Sequence, residues 1–351
     1  MGKKYIFIYA FLILIGIPLT YFLFQSKNRT PPISPIIQEI VHIGQNPSPT
    51  PFQFIELTIP FLRQRKYQSI LSDLEKVSEN GSYTSYLTKY DSDGLKINGL
   101  LTVPIGDNPP STGRPAIVFI HGYIPPQQYR TLINYSSFVD YLARNGFVVF
   151  KIDLRGHAES EGEPGGAYYS SDYIIDVLNA IASLKSSDIV NPDKIGLWGH
   201  SMAGNVVLRS LAAQPQIPAA VIWAGAVYTY SDMQKYGIQD GSYRPPQTSS
   251  DRQRKRQQLR ELYGEFNPDH PFWQQVSAVN YLKDIKGAIQ LNHAVDDSVV
   301  NIGYSRDLAE LLQINKVNYE LKEYQYGGHN LTGASFGTAM QNTVEFFKKN
   351  L

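Results

Sequence analysis

Short apolar segments alternate with segments of helical periodicity along most of the chain, and this alternation restricts the fold more than any other feature. Six apolar segments have the length of buried strands, at residues 116–121, 147–153, 195–200, 219–225, 288–293 and 318–324. Helical patterns lie at residues 131–145, 171–184, 202–213, 305–314 and 336–349. Repeated strand-helix units favour a mostly parallel sheet with helices on both faces, so the fold class is α/β.

The segment before these units predicts an antiparallel hairpin. Residues 82–90 and 95–103 have strand character and flank Asp93-Gly94, a dipeptide typical of two-residue hairpin turns. Residues 61–77 carry apolar residues at helical spacing and predict a leading helix. With the six later segments, we expect an eight-stranded sheet whose N-terminal hairpin is antiparallel.

An insertion interrupts the alternation at about residues 228–280. It holds a Pro-containing loop at residues 241–249 and a polar helical pattern at residues 251–266, so we expect a small helical cap. The helical pattern carries a run of basic residues: Arg252, Arg254, Lys255, Arg256 and Arg260. Such a run usually forms a solvated helix face, and the alternative is contact with an acidic ligand or headgroup.

The N-terminus predicts a membrane anchor. Residues 5–24 contain no charge, and a helix of twenty residues is about 30 Å long, the thickness of a bilayer's hydrocarbon core. Basic residues flank both ends, with a slight bias toward a cytoplasmic N-terminus. We therefore expect an uncleaved, single-pass anchor at residues 1–27, a spacer with six prolines at residues 28–51, and a catalytic domain at residues 52–351 outside the cytoplasm.

Charge and cysteine content exclude several kinds of function. The chain has 32 basic and 31 acidic residues, so it lacks the positive excess typical of nucleic-acid binding, and we expect no nucleic-acid partner. It contains no cysteine, which excludes disulfides, thiolate metal sites and a cysteine nucleophile.

The most informative motif is IGLWGHSMAG at residues 195–204, where an apolar strand leads through a tight turn into a helix. Ser201 at the centre of this turn has the context of a nucleophile elbow, which aims a hydroxyl off the end of a sheet. Gly199 fits the G-x-S-x-G pattern, and Ala203 replaces its last glycine. The alternative is an ordinary serine N-cap of the helix.

A second motif, His121-Gly122-Tyr123, follows the strand at residues 116–121. A His-Gly step here is typical of the loop that contributes a backbone N–H to an oxyanion hole. Tyr123 N–H and Met202 N–H are the predicted donors, and His121 is predicted to support the loop.

A base and an acid follow in chain order. His329 comes after the last strand in the loop Tyr326-Gly-Gly-His329, where it can accept a proton from Ser201. Asp296 and Asp297 follow the strand at residues 288–293, and one is needed to orient the imidazole. Spacing alone does not separate them; we favour Asp297, keep Asp296 as the alternative, and expect the other carboxylate to cap the following loop. We expect no metal and no cofactor.

We predict no catalytic role for the remaining histidines or for the aromatic residues near the motifs. Five further histidines are read as linker, loop or packing residues: His42, His157, His200, His270 and His293. Six aromatic residues either line a substrate pocket or pack in the interior: Tyr168, Tyr169, Tyr228, Tyr230, Tyr236 and Trp273.

These motifs resemble the α/β-hydrolase superfamily, and the segment KIDLRGHAESEGE at residues 151–163 resembles a loop of the prolyl-oligopeptidase-like (S9-type) group. Ala158 stands where that loop usually has glycine, and the group's long N-terminal propeller has no counterpart here. The resemblance implies a serine hydrolase that cleaves peptide, amide or ester bonds of a short peptide or small ester, most like the prolyl-oligopeptidase-type peptidases. The apolar segment at residues 5–24 adds the expectation that this hydrolase is anchored in a membrane. A carboxylesterase of the same fold is one alternative, and an inactive binding or scaffold protein is the other.

Overall fold

One mixed β-sheet runs through the protein. The structure is a computed structural model that describes residues 52–106, 113–165, 167–239, 250–264 and 266–351. Within these ranges nine strands lie in the order β1-β2-β3-β5-β4-β6-β7-β8-β9. The strands are β1 (Glu75–Glu79), β2 (Tyr83–Ser92), β3 (Leu95–Pro104), β4 (Arg114–Ile120), β5 (Val148–Ile152), β6 (Val190–His200), β7 (Ala219–Trp223), β8 (Ala288–Ala294) and β9 (Tyr319–Tyr324). The α/β class is confirmed, and all six predicted segments form strands. The last of them, β9, lies at the edge of the sheet and is only partly buried, so the prediction of a buried strand there is wrong.

The predicted hairpin is confirmed as β2 and β3. Ser92 pairs with Leu95 across the turn, and Asp93 and Gly94 between them have φ values of 54° and 78°. Two consecutive positive φ values match the right-handed twist of a two-residue hairpin, which is why an Asp-Gly step serves here. β3 pairs antiparallel with β5, and every pairing from β5 through β9 is parallel. The carboxyl ends of the parallel strands therefore meet at one edge.

The predicted leading helix at residues 61–77 is wrong. The helix there is α1 (Ile59–Gln64), and Arg65 after it is extended. Ser72 N–H then donates to Lys89 C=O at 2.7 Å, and β1 pairs antiparallel with β2. Pairing with the free edge of the hairpin thus overrides the helical spacing, and it adds the strand that makes the sheet nine-stranded rather than eight-stranded.

Helices cover both faces of the sheet, as expected. α2 (Ser136–Arg144) and α9 (Ala334–Asn350) pack on one face, where Val139 and Phe347 join a core with Phe119 of β4. The other face packs against α3 (Asp172–Lys185), α4 (Ala203–Ala213) and α8 (Gly303–Ile314).

The region between β7 and β8 contains α5 (Tyr230–Tyr236), α6 (Ser250–Tyr263), α7 (Pro271–Val276) and a 3₁₀ segment (Ala278–Asp284). The predicted polar helix is therefore present as α6. Leu259 of α6 and the aromatic rings of Tyr230, Phe272 and Trp273 form a separate small core.

Three sequence predictions lie outside the described residues: the anchor at residues 5–24, the spacer at residues 28–51 and the loop at residues 241–249. Within the described ranges, no helix combines the length and apolar character needed to cross a bilayer.

Candidate active site

Ser201 lies in the turn between β6 and α4, with a φ of 56°. This left-handed conformation is unfavourable for a residue with a side chain and needs support from its surroundings. Backbone hydrogen bonds supply that support. Ser201 N–H donates to Trp223 C=O at 2.9 Å, and Ser201 C=O accepts from Gly204 N–H at 2.8 Å and Ala226 N–H at 3.1 Å.

The turn also depends on close approach of strand and helix. A Cβ added at Gly199 would lie 2.7 Å from Val207 Cγ2 and 3.1 Å from the Ala203 Cβ. Ala203 itself is fully buried. The methyl group that departs from the usual motif therefore fits because residue 199 has no side chain.

His329 and Asp297 are in direct contact. His329 lies in a 3₁₀ turn (Gly328–Asn330) after β9, and Asp297 lies in the loop after β8. His329 Nδ1 donates to Asp297 Oδ2 at 2.8 Å. The Asp297 side chain is fully buried, while that of His329 is 16% exposed. The structure thus brings together the predicted acid and base, with the Nε2 edge of the imidazole left for proton exchange.

The adjacent carboxylates have different partners. Asp296 accepts from the backbone N–H of Gly328 at 2.8 Å and of Gly327 at 3.3 Å, so it holds the loop that carries His329. Asp297 Oδ1 accepts from Val299 N–H at 2.8 Å and Val300 N–H at 3.0 Å. We expected the carboxylate that does not contact the histidine to cap the following loop; instead Asp297 does both.

His293 is a second histidine on Asp297, and the sequence analysis missed it. Its Nε2 lies 3.2 Å from Asp297 Oδ2 and 2.9 Å from Val300 C=O, so Nε2 carries the proton. Nδ1 then accepts from the Ser305 hydroxyl at 2.8 Å. Burial alone would raise the pKa of Asp297, but hydrogen bonds from His293 and His329 outweigh it and hold that pKa well below its usual range.

His200 links two parts of the site, although its position beside Ser201 suggested no such role. Its Nε2 donates to His329 C=O at 2.9 Å, and its ring centroid lies 4.6 Å from that of His329. Its Nδ1 lies 2.8 Å from the Tyr135 hydroxyl, which accepts from Gly122 N–H at 3.0 Å. A hydrogen-bond chain therefore joins the His121-Gly122 loop to the His329 backbone.

Burial and the neighbouring His329 lower the pKa of His200 to about 3, so the ring is neutral near pH 7. A neutral ring is consistent with this chain, in which one nitrogen donates and the other accepts. Neither His200 nor Tyr135 could be assigned from its place in the sequence, because their partners come from distant segments.

The predicted oxyanion donors lie beside Ser201. Tyr123 and Met202 line the same cavity as Ser201, and Met202 immediately precedes α4, where helical N–H groups lack partners within the helix. His121 is fully buried; its Nδ1 bonds to Gly122 C=O at 2.7 Å, in keeping with support of the loop. Burial lowers the pKa of both His121 and His157 beneath this loop.

The cavity at Ser201 has a volume of about 340 Å³ and is mainly apolar. Tyr168, Tyr169 and Tyr173 line it, together with Met233 and Ile238. Other aromatic candidates pack in the interior instead: Tyr228, Tyr230 and Trp273 are buried, and Tyr236 packs against Tyr304. Ser201 and the predicted backbone donors line this cavity, and the Asp297–His329 pair is connected to it through His200, the neighbour of Ser201 in the chain. These are the types of group needed to transfer an acyl group to water.

Part of the chain is similar to proteins of a known family. Residues 112–246 match the family described as serine aminopeptidase, S33. The polyketide transferase claH of Penicillium crustosum is 30% identical over 146 residues, which cover 42% of this chain and 45% of the transferase. The chain spans less than half the length of the curated relatives that it resembles.

Solved structures share the fold. Dipeptidyl peptidase 4 of Porphyromonas gingivalis matches with a TM-score of 0.59 and 18% identity, covering 77% of this chain and 36% of the peptidase. Acetyl xylan esterase 1 of Thermoanaerobacterium matches with a TM-score of 0.54 and 18% identity, covering 82% of this chain and 90% of the esterase. These structural matches show that the chain shares the fold of the peptidase and the esterase.

Proposed function

We propose that this chain is a serine hydrolase of the α/β-hydrolase superfamily that cleaves small carboxylic esters through an acyl-enzyme, a proposal supported by the family match at residues 112–246 and by the shared fold. The contact between His329 Nδ1 and Asp297 Oδ2, at 2.8 Å, carries the proposal. The pair sits beside the strained turn at Ser201, because His200 joins that turn to His329 through its ring and its Nε2 hydrogen bond.

The reaction proceeds in two acyl transfers. His329 Nε2 takes the proton of Ser201 as Oγ bonds to the carbonyl carbon, and the Tyr123 and Met202 amides stabilise the oxyanion. His329 then gives that proton to the leaving group as the carbon–leaving-group bond breaks. Water repeats the sequence on the acyl-enzyme and releases the acid. Asp297 fixes the imidazole tautomer and stabilises the imidazolium throughout.

The lining of the cavity favours a small neutral or anionic substrate. The cavity of about 340 Å³ is in the size range of small-molecule sites. An aminopeptidase must also bind a free α-ammonium, which calls for an acidic partner. Among the described residues, no carboxylate lines this cavity, whereas Arg256 does.

A prolyl-oligopeptidase-type peptidase is the second candidate, and the loop at residues 151–163 favours it. Within that loop Arg155 binds the fully buried Asp176 at 2.6 Å, and Asp153 accepts from the Tyr129 hydroxyl at 2.7 Å. These contacts hold the loop against α3 and against the segment that follows β4, but they do not select a substrate. An amide also demands protonation of a poorer leaving group, so esters and amides separate the two candidates.

The experiment compares 4-nitrophenyl butyrate with aminoacyl 4-nitroanilides for the full chain and for Ser201→Ala. We expect ester turnover, with kcat/KM reduced by about 10⁴-fold or more in the variant. Faster relative turnover of the anilides would favour the peptidase. An unchanged rate in Ser201→Ala would refute the nucleophile, and a folded protein without turnover of either class would favour the scaffold alternative.

We also propose that residues 5–24 anchor the protein in a bilayer, with the catalytic domain outside the cytoplasm. The basis is a segment of twenty uncharged, mainly apolar residues with basic flanks. The full chain should resist alkaline carbonate extraction from membranes, and protease added outside intact cells should digest the domain. Release by carbonate alone would contradict the anchor.

A further inference from the structure

Helix α6 places one basic side chain at the cavity beside Ser201. We propose that Arg256 binds a carboxylate on the substrate, so that the protein prefers esters carrying a negative charge away from the reacting carbonyl. The proposal rests on the proposed hydrolase function and adds the class of its substrate. It concerns a residue that lies outside the predicted triad and oxyanion hole.

The position of Arg256 suits it to bind part of a substrate. Arg256 is half-buried and lines the cavity with Ser201, Met202 and the rings of Tyr168 and Tyr169. Most of the remaining wall is apolar, so an anion bound there would be partly shielded from water. Charged hydrogen bonds are stronger in such surroundings than on an open surface.

The missing counter-charge is the second argument. Three nearby arginines have acidic partners: Arg252 pairs with Asp172 at 2.8 Å, Arg155 with Asp176 at 2.6 Å, and Arg254 with Asp251. Lys255 and Arg260 of α6 form no ion pair with the described residues, but neither of them lines the cavity at Ser201. In the described part of the chain, no ion pair includes Arg256; its Nη2 donates to Gly165 C=O at 3.1 Å.

Hydrogen-bonding capacity is the third argument. A guanidinium has five N–H groups in a planar fork that matches a carboxylate. The bond to Gly165 uses one of them and positions the fork. An anionic substrate would supply the charge that the wall lacks, while a neutral substrate would leave the cation partly desolvated and uncompensated.

Two competing roles for Arg256 make different predictions. If it only solubilises α6, its replacement should change nothing, as expected for Arg260, an exposed residue of the same helix that is not among the described residues lining the cavity at Ser201. If it only clamps the Gly165 segment, its replacement should slow neutral and anionic substrates alike. Arg256 also borders a second cavity, which Arg252, Glu163 and Asp172 line with charges of both signs.

The test uses two matched pairs of esters. In the first pair the charge is on the acyl side: the mono-4-nitrophenyl ester of suberic acid and the same compound with its free carboxylate methylated. In the second pair the charge is on the leaving group: the butyrate ester of 4-hydroxybenzoate and that of methyl 4-hydroxybenzoate. kcat/KM is measured on the full chain and on Arg256→Gln, Arg256→Lys and Arg260→Gln.

We expect the unaltered protein to prefer the carboxylate member of one pair by about 10- to 100-fold, the range for a charged hydrogen bond. Arg256→Gln should lose this preference while hydrolysing the neutral esters at least as fast as the unaltered protein does; Arg256→Lys should keep part of the preference, and Arg260→Gln all of it. The absence of a preference in both pairs, or a preference that Arg256→Gln retains, would overturn the proposal. Failure to hydrolyse even the neutral esters would instead refute the proposed hydrolase.

Discussion

Two parts of the site differ in how they are held in place. One is the loop that carries Asp297 together with His293, the carboxylate side; the other is helix α6, the cap side. On the carboxylate side, the side chains of Asp297 and His293 are fully buried, and Asp297 accepts four hydrogen bonds through its two oxygens. On the cap side, Leu259 alone is buried among the described side chains of α6. The buried network fixes the reacting groups, whereas the exposed helix can change its contacts at little cost in stability. In the proposed hydrolase, we therefore expect catalysis and substrate choice to depend on separately adjustable regions.

The largest expected effect on the carboxylate side is the loss of activity in Asp297→Asn. An amide cannot stabilise the imidazolium and favours the wrong tautomer, so kcat should fall by about 10⁴-fold. Asp296→Asn is the matched control. It leaves the hydrogen bond between Asp297 and His329 in place and weakens only the bonds from the Gly327 and Gly328 amides to residue 296. We expect less than a tenfold loss there. Equal losses in ester-hydrolysis kinetics would contradict the different roles given to these neighbours.

Replacing one buried arginine and one partly exposed arginine compares how much each contributes to the free energy of unfolding. Arg155→Gln leaves Asp176 buried without its cation, and the free energy of unfolding should fall by about 3 to 5 kcal/mol. Arg252 binds Asp172 at the edge of the cap, where both side chains are partly exposed. Arg252→Gln should therefore cost less than about 1 kcal/mol. Urea unfolding of both variants measures the difference, and similar costs would show that the cap is not the weaker attachment.

Acid should destabilise the folded protein through His200, whose ring joins Tyr135 to the backbone of His329. The folded pKa of His200 is about 3, below the 6.5 of an unperturbed histidine. Below pH 6.5 the unfolded chain therefore takes up a proton that the folded chain does not, and stability falls as the pH falls. Between pH 7.5 and 5.0 this should cost about 2 kcal/mol.

His200→Gln removes that contribution and leaves those of His121 and His157 in place. The variant should consequently lose about 2 kcal/mol less than the unaltered protein over the same range of pH. Urea titrations at the two pH values measure both losses. Parallel losses in the two proteins would contradict a buried neutral His200.

Apart from the comparison variants Asp296→Asn and Arg252→Gln, the smallest expected effect is that of His293→Gln, which acts through Asp297. Without the second imidazole, the negative charge of Asp297 interacts more with His329 and favours its protonated form. We expect about a tenfold decrease in kcat/KM at pH 6 and a shift of the acidic limb of its pH profile to higher pH. A purely structural role would lower the rate at every pH without moving the limb.

The sequence predicted those parts of the protein that depend on local pattern. Chain order and strand ends made Ser201 and His329 the candidates for nucleophile and base, and the Asp-Gly step placed the hairpin turn correctly. The helix expected at residues 61–77 failed because helical spacing there competes with an open sheet edge at β2, and the sequence does not reveal which pairing is stronger.

The positions of individual rings and carboxylates required the structure. Asp296 and Asp297 are chemically identical neighbours, and the loop conformation alone decides which one faces His329. His200 and His293 have partners from other strands and loops, which one-dimensional spacing cannot identify. The basic run in α6 likewise predicted a solvated face, and only its packing shows that Arg256 reaches the cavity.

The central claim is that Ser201 is the nucleophile of a working site. The most direct test is intact-mass analysis of the full chain after treatment with a fluorophosphonate, followed by peptide mapping, with Ser201→Ala as the control. We expect one adduct, on Ser201, in the unaltered protein and none in the variant. A folded protein that forms no adduct, or an adduct that persists in Ser201→Ala, would contradict the claim.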